Sequence, residues 1–159
     1  ISDRNVALVL TGGGPYEQDL RRRSEELNVA NRVIFTGMQP SDKVAALLKQ
    51  ADVFSLASYH FDNQPMTFLE AASSGLPIVY CDEQMTEGLT KRNAVLTGGI
   101  EGEDLAQAFN DLFSNPEKLD LLSRGSLDVA QEFDSTTMAV RMADLYEKLI
   151  RDHRTLSRH

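Results

Sequence analysis

The stretch SYHFDNQPMTFLEAASSGLPIV, from Ser58 to Val79, decides the fold of this chain. It begins as a polar loop, continues through small and apolar residues, and reaches Gly75 and Pro77 just before a β-type run. Proline fits the first turn of a helix, and glycine fits the position after its last turn. The stretch therefore predicts a helix over residues 65–74 that is packed against a sheet.

Two carboxylates flank the predicted start of this helix. Glu70 is the only charged residue between Asn63 and Cys81, and a carboxylate in apolar surroundings is costly to bury unless a hydrogen bond satisfies it. Asp62 precedes Glu70 by eight residues. A helix N-terminus presents unpaired N–H groups and a partial positive charge, so it is a natural binding site for a phosphate. Acids on both sides of a phosphate suggest recognition of hydroxyl groups, as on a ribose and a sugar.

Short apolar runs alternate with helical patterns along the rest of the chain. Strands are expected at residues 6–10, 33–36, 53–56, 78–81 and 94–97. Further helices are expected at residues 16–27, 41–50, 104–113, 116–133 with a break near Gly125, and 135–153, with a loop and a short helix over 82–91. This alternation predicts an α/β fold, a Rossmann-like parallel sheet of about five strands, buried on both faces by helices. Ligands of such folds bind beyond the carboxyl ends of the strands.

Composition narrows the classes of function. A chain of 159 residues fits a single domain over residues 1–159, and a net charge of -8 argues against nucleic acid as a partner. Cys81 is the only cysteine, which excludes an internal disulfide and fits a reducing compartment. The three histidines, at positions 60, 153 and 159, are too scattered for a metal site.

Each candidate residue also has an ordinary structural interpretation. Glu70 could be satisfied by a neighbouring backbone group or by a structural cation, and Asp62 could be a loop or capping residue. The glycine-rich loop from Gly12 to Pro15 lacks the third glycine of a dinucleotide fingerprint, because Glu17 stands there, and it lacks a P-loop ending. It is either a tight turn alone or a turn that also admits a ligand.

Several ordered motifs together resemble the C-terminal, nucleotide-sugar-binding half of retaining glycosyltransferases of family 4, which have the GT-B architecture of two Rossmann-like domains. The motifs are the loop at residues 12–15, NRVIFTG at 31–37, ADVFSLAS at 51–58, and LEAASSGLP at 69–77, whose acid completes a Glu-x7-Glu-type pattern with position 62. The resemblance covers nearly the whole chain.

The resemblance implies transfer of a hexose from a UDP- or GDP-sugar to a glycan or lipid acceptor, with retention of configuration and without a metal. Asp62 would lie near the sugar as the catalytic acid, a position usually held by Glu, and Glu70 would hydrogen-bond the donor ribose. The remaining donor-binding positions would be the backbone N–H groups of Met66 and Thr67 at the diphosphate, Ile34 and Phe35 beside the base, and Gly14 in the glycine-rich loop.

The chain departs from the family pattern in three ways. Asp62 is one methylene shorter than Glu, and Asn63 to Pro65 replace a glycine-bearing run. The family's first strand and helix of this domain, with the Arg and Lys that neutralise the diphosphate, are not found in the chain, and neither is the acceptor-binding domain. We therefore expect a fragment that is inactive alone, with residues 135–153 leading toward the missing domain and their apolar side chains partly exposed.

The resemblance also implies which partners the protein has and where it is located. The acceptor would bind through the missing domain, and any contact with the inner membrane face would be made by missing parts of a cytoplasmic enzyme. A non-catalytic nucleotide-binding or protein-interaction domain of the same fold is the alternative, favoured by Asp62 and Pro65. Another GT-B enzyme, such as a sugar epimerase, fits the motif at residues 69–77 less well.

Overall fold

A computed structural model describes residues 5–59 and 65–156 and has the expected α/β architecture, with parallel strands flanked by helices. The strands are β1 (Leu8–Thr11), β2 (Val33–Gly37), β3 (Phe54–Leu56), β4 (Ile78–Tyr80) and β5 (Ala94–Leu96). They form two hydrogen-bonded sheets, β1–β2 and β3–β4–β5, with every pairing parallel. Five parallel strands are therefore present as predicted, but they do not form one continuous ladder.

Six helices connect and cover these strands within the described residues: α1 (Glu17–Glu26), α2 (Ser41–Leu48), α3 (Met66–Ser73), α4 (Gly102–Phe113), α5 (Pro116–Glu132) and α6 (Ser135–Leu156), with a 3₁₀ turn at Ala30–Arg32. The short helix expected within residues 82–91 is absent. Hydrogen bonds of a buried asparagine organise the end of that loop instead. Asn93 accepts from the Thr90 N–H at 2.9 Å and donates to the Gly88 carbonyl at 2.9 Å.

The hydrophobic core lies around the second sheet. Phe68, Ala71 and Ala72 form the buried face of α3. The ring of Phe68 meets those of Phe54 and Tyr80 edge-on, with centroid separations of 6.1 and 6.4 Å. This packing fixes the rotation of α3 about its axis, and so determines which residues of α3 face solvent.

The first sheet is more exposed than the sequence predicts. The apolar run of β1 indicates burial on both faces, yet Leu8 is 51% exposed and Val9 is 44% exposed. Ile34, the partner of Val9 across the sheet, is 51% exposed. The α1 helix packs on the other face of this sheet, where the Arg21 guanidinium lies 4.2 Å from the centre of the Phe35 ring. The prediction of full burial was wrong for β1 and β2.

The predicted break at Gly125 was also wrong, because α5 continues from Pro116 to Glu132 without interruption. Gly125 is buried, and a Cβ atom at this position would overlap the backbone carbonyl of Arg92. The glycine therefore permits close approach between α5 and the loop before β5. Its role is packing rather than helix termination.

The last helix, α6, has partly exposed apolar side chains, as expected. Met142, Leu145 and Leu149 are 46%, 49% and 54% exposed. No helix in the described part of the chain is long and apolar enough to span a membrane.

Candidate nucleotide-sugar site

The N-terminus of α3 is open to a ligand. Pro65, expected in the first turn, is instead the buried residue just before the helix, with an extended backbone (φ -60°, ψ 124°). Among the described residues no side chain caps this end. Met66 and Thr67 are the first two helical residues and both are exposed, Met66 by 66%. Their N–H groups lie in the turn that has no intrahelical acceptors, so they are suited to an anion.

Glu70 lies on the same side of α3 as these two residues. It follows Met66 by four positions and Thr67 by three, which places all three on one helix face. Its side chain is exposed. The expectation of a carboxylate in apolar surroundings was therefore wrong, because the neighbouring apolar residues, Phe68, Ala71 and Ala72, turn toward the core. Glu70 is free to meet a ligand without a burial cost.

Asp62, the expected catalytic acid, lies outside the described residues, as do His60 and Gln64. The described chain reaches Tyr59 on one side and resumes at Pro65 on the other. The assignment of Asp62 to the sugar therefore stays a prediction.

The loops after β1 and β2 lie side by side. The Gly12 N–H donates to the Gly37 carbonyl at 3.0 Å, and both glycines have positive φ angles, 121° and 66°. A Cβ on Gly13 would lie 3.6 Å from the Met38 side chain. Gly14, the expected ligand-approach residue, is exposed, and its carbonyl accepts from the Glu17 N–H at the start of α1. Besides the N-terminus of α3, these loops form a second open surface, at the carboxyl ends of β1 and β2.

The two residues expected beside the base lie within β2 rather than at its carboxyl end. Ile34 is exposed on one face of the sheet, and Phe35 packs under Arg21 on the other. The strand ends at Gly37, two residues after Phe35. Their side chains thus point to opposite faces, and the structure does not bring both to one site.

Sequence reasoning missed Asp82, which follows β4 directly and is 1% exposed. Its carboxylate accepts from the Gln84 N–H at 3.0 Å. The preceding Cys81 thiol donates to the Ser58 carbonyl at 3.7 Å, so the end of β4 contacts the loop that follows β3. The available signal was an acid immediately after a buried strand, at the edge where ligands bind.

Burial raises the pKa of the Cys81 thiol, and the Asp82 carboxylate raises it further by disfavouring a second negative charge. A backbone hydrogen bond acts in the opposite direction with smaller effect. The thiol is therefore protonated at neutral pH and suited to packing rather than to nucleophilic chemistry. Among the described residues no three His, Cys, Asp or Glu side chains group as metal ligands.

The family model for glycosyl transferases group 1 matches residues 1–126. The chain belongs to this family. The matched region contains both sheets, α3 and the open surfaces at the carboxyl ends of the strands.

Curated relatives are much longer than this chain. It is 29% identical over 125 residues to a GDP-mannose-dependent alpha-(1-6)-phosphatidylinositol monomannoside mannosyltransferase of Mycolicibacterium smegmatis, covering 72% of this chain and 32% of the relative. It is 40% identical over 74 residues to an alpha-monoglucosyldiacylglycerol synthase of Streptococcus pneumoniae, covering 46% of this chain and 17% of the relative. The matched segments thus span a third or less of these proteins.

Solved structures share the fold. The Anabaena protein Alr3699/HepE in complex with UDP superposes with a TM-score of 0.79 at 24% identity, over 92% of this chain and 42% of that one. The C-terminal domain of a glycosyl transferase group 1 family protein from Francisella tularensis has a TM-score of 0.69 at 17% identity, over 79% of this chain and 68% of that one. This likeness places both sheets within the GT-B fold.

Proposed function

We propose that this chain is the donor-binding domain of a retaining glycosyltransferase of family 4, which transfers a hexose from a nucleoside diphosphate sugar to a glycan or lipid acceptor. The observation that carries the proposal is the open N-terminus of α3, with Glu70 one turn along the same exposed face. The N–H groups of Met66 and Thr67 bind the diphosphate, and Glu70 accepts hydrogen bonds from the ribose hydroxyls. The base lies toward the loops at Gly14 and Gly37.

The chemistry that this arrangement supports is departure of a nucleoside diphosphate. Negative charge grows on the diphosphate as the sugar–oxygen bond breaks, and oriented N–H groups at a helix N-terminus stabilise that charge. Asp62 contacts the transferred sugar, and no metal is required. UDP and UDP-glucose occur in solved complexes of the Anabaena relative, and GDP-mannose is the donor named for the mycobacterial relative, so either base fits the proposal.

The two curated relatives are named for lipid-linked acceptors, a phosphatidylinositol mannoside and a diacylglycerol glycoside. This supports an acceptor at a membrane surface, reached through polypeptide outside these residues, with the enzyme at the cytoplasmic face. Contact with the membrane is then peripheral.

Calorimetry with UDP and GDP tests the role of Glu70. Glu70→Ala is expected to weaken binding by about tenfold to a hundredfold, because it removes charge-assisted hydrogen bonds. Glu117→Ala, at an exposed position on α5, is the matched control and should leave the affinity unchanged. A 2′,3′-dideoxy nucleotide should bind wild type and Glu70→Ala equally. Unchanged affinity of Glu70→Ala for UDP and GDP would contradict the assignment.

Asp62→Glu in the longer protein tests whether the site is catalytic. The substitution restores the acid that is usual in the family, so an active enzyme should show a rise or a modest fall in release of nucleoside diphosphate. Absence of turnover in both forms, with nucleotide binding intact, would favour a non-catalytic nucleotide-binding domain. Turnover by residues 1–159 alone would contradict the need for a second domain.

A further inference from the structure

We propose that Met38 contacts the nucleobase of the donor and makes the site select uracil over guanine. Met38 has this role only if the proposed function holds, since a nucleotide must first bind between α3 and the loops after β1 and β2. The proposed function accepts either base, whereas the surroundings of Met38 favour UDP.

The most exposed large hydrophobic side chains of the described residues lie at one edge of the fold. Met38 is 79% exposed, Tyr16 is 72% exposed and Met66 is 66% exposed. They lie in the segments that follow β2, β1 and β3, which is the edge where ligands of doubly wound folds bind. Exposed hydrophobic surface that is concentrated at such an edge is typical of a surface that binds a ligand or a partner.

The turn that carries Met38 is fixed on both sides of this residue. The Gly37 carbonyl accepts from the Gly12 N–H at 3.0 Å and from the Thr36 hydroxyl at 3.2 Å. The Gln39 side chain donates to the Thr36 carbonyl at 2.6 Å, so it is turned back toward β2. Met38 is therefore held in place while its side chain stays in solvent, and an ordered turn of this kind loses little entropy when a ligand binds.

The backbone of Met38 supplies one hydrogen-bond donor and one acceptor. Neither its N–H nor its carbonyl bonds to another described residue. The N3–H and O4 groups of uracil match this pair. Guanine matches it with N1–H and O6, but the N2 amino group beside them then still needs an acceptor. A site without that acceptor binds guanine less well, because a polar group loses its water without gaining a partner.

The two loops contain no acidic side chain that could accept from that amino group. Their sequences are GGGPY at residues 12–16 and GMQP at residues 37–40. The next acids along the chain, Glu17 and Asp42, lie in the first turns of α1 and α2. Glu17 already accepts from Arg21 at 2.8 and 3.0 Å. Asp42 forms no ion pair with a described residue, so its substitution is one arm of the experiment.

The side chain of Met38 supplies the apolar contact with the face of the base. Its Cγ atom lies 3.6 Å from the position that a Cβ on Gly13 would occupy, so Met38 lies against the glycine-rich loop. Glycine lets a ligand approach the backbone closely, and a methionine thioether packs favourably against a flat aromatic ring. A base bound here therefore covers the hydrophobic side chain that is most exposed to water.

Calorimetry in the longer protein tests this role with UDP, GDP and ribose 5-diphosphate, which has no base. Wild type should bind UDP about tenfold more tightly than GDP. Met38→Ala should weaken UDP binding by about fivefold and leave the affinity for ribose 5-diphosphate unchanged, because only the contact with the base is lost. Leu121→Ala is the matched control, since Leu121 on α5 is also a large hydrophobic residue and is 64% exposed. It should leave all three affinities unchanged.

Met38→Glu supplies a second measurement, because it should change the preference itself. A carboxylate at this position accepts from N1–H and N2–H of guanine but repels the carbonyl oxygens of uracil, so UDP affinity should fall by a larger factor than GDP affinity. Equal factors would overturn the selection of uracil. Asp42→Asn should leave the ratio of the two affinities unchanged. A changed ratio would assign base recognition to Asp42 and would also overturn the role of Met38.

The remaining outcomes separate the role of Met38 from the nucleotide site as a whole. Unchanged UDP affinity of Met38→Ala, in a protein in which Glu70→Ala weakens binding, would overturn the role of Met38 alone. Equal weakening of UDP and ribose 5-diphosphate by Met38→Ala would do the same. GDP bound as tightly as UDP by wild type would overturn the selection of uracil. Absence of UDP binding to wild type would overturn both the proposed function and the role of Met38.

Discussion

The Ser126 hydroxyl donates a hydrogen bond of 2.6 Å to the Leu76 carbonyl, and Ser126 is completely buried. This bond joins the middle of α5 to the turn that ends α3. Ser123 on the same helix donates to the Gly75 carbonyl at 2.7 Å, one residue earlier in that turn. Two serines of α5 thus hold the carboxyl end of the helix whose N-terminus forms the candidate site.

We predict that Ser126→Ala destabilises the protein by about 1–3 kcal/mol, because it leaves the buried Leu76 carbonyl without a donor. Chemical denaturation measures the effect. Ser73→Ala is the matched control, since the exposed Ser73 hydroxyl also donates to a backbone carbonyl, that of Glu70, at 2.9 Å. The control should change stability by less than about 0.5 kcal/mol. Similar losses for both variants would contradict a special role for the buried bond.

Gly125→Ala should also destabilise the fold, although alanine is the better helix former. The added methyl group would overlap the Arg92 carbonyl and push α5 away from the loop before β5, at a cost of about 1–3 kcal/mol. Gly102→Ala provides the comparison, because a Cβ at Gly102, the first residue of α4, meets no atom within 4 Å. A Gly125→Ala variant as stable as Gly102→Ala would show that α5 does not need this close approach.

Met66→Pro isolates the backbone contribution to phosphate binding. Proline is tolerated at the first helical position, and Pro65 already has the extended backbone that a residue before proline adopts. The variant should therefore keep its Tm while binding UDP about tenfold more weakly, since one N–H donor to a charged ligand is lost. Met66→Ala keeps that N–H and should bind UDP as wild type does. Equal affinities of the two variants would exclude the Met66 N–H from the diphosphate site.

Alkaline pH should destabilise the fold through the residues at the end of β4. Burial raises the pKa of the Cys81 thiol and of the Tyr80 hydroxyl above their ordinary values, 9.0 and 10.0. The unfolded chain therefore loses these protons first, so stability is full below pH 9 and decreases as pH rises through the folded-state pKa values.

Rates of Cys81 alkylation against pH measure this shift in the folded protein, with an expected midpoint above 9. Cys81→Ala should reduce the loss of stability at alkaline pH. The part of that loss that comes from Tyr80 ionisation should remain. A midpoint at or below the ordinary thiol value would contradict a buried, protonated Cys81.

Much of the fold follows from local sequence signals. Gly75 has a φ of 75° and ends α3 as its position before Pro77 predicts, and the strands begin within two residues of the expected starts. The burial of each strand was harder to predict, because it depends on which helices and strands pack against that strand. The apolar run of β1 is typical of a buried strand, but the side chains of Leu8 and Val9 lack covering neighbours in the described structure.

The candidate site was also predicted only in part, because local sequence signals predict helix ends but not the surroundings of each side chain. The sequence predicts a helix start at about Pro65, and the helix begins one residue later at Met66, which is 66% exposed. The environment of Glu70 could not be inferred from neighbours in sequence, because a helix turns residues 68, 71 and 72 inward and residue 70 outward. Asp82 was missed because an acid directly after a strand is usually exposed, whereas Asp82 is 1% exposed.

The buried hydrophobic core is unevenly distributed along the chain, and this affects which part of the chain unfolds locally. Every buried apolar side chain of the described residues lies at Pro65 or beyond, so β1, α1 and β2 are held by few interior contacts. Regions of this kind open without global unfolding. In residues 1–159 alone, we expect a protease to cleave first within the amino-terminal layer and to leave a resistant product that begins near Phe54, with the remaining sheet still folded around α3.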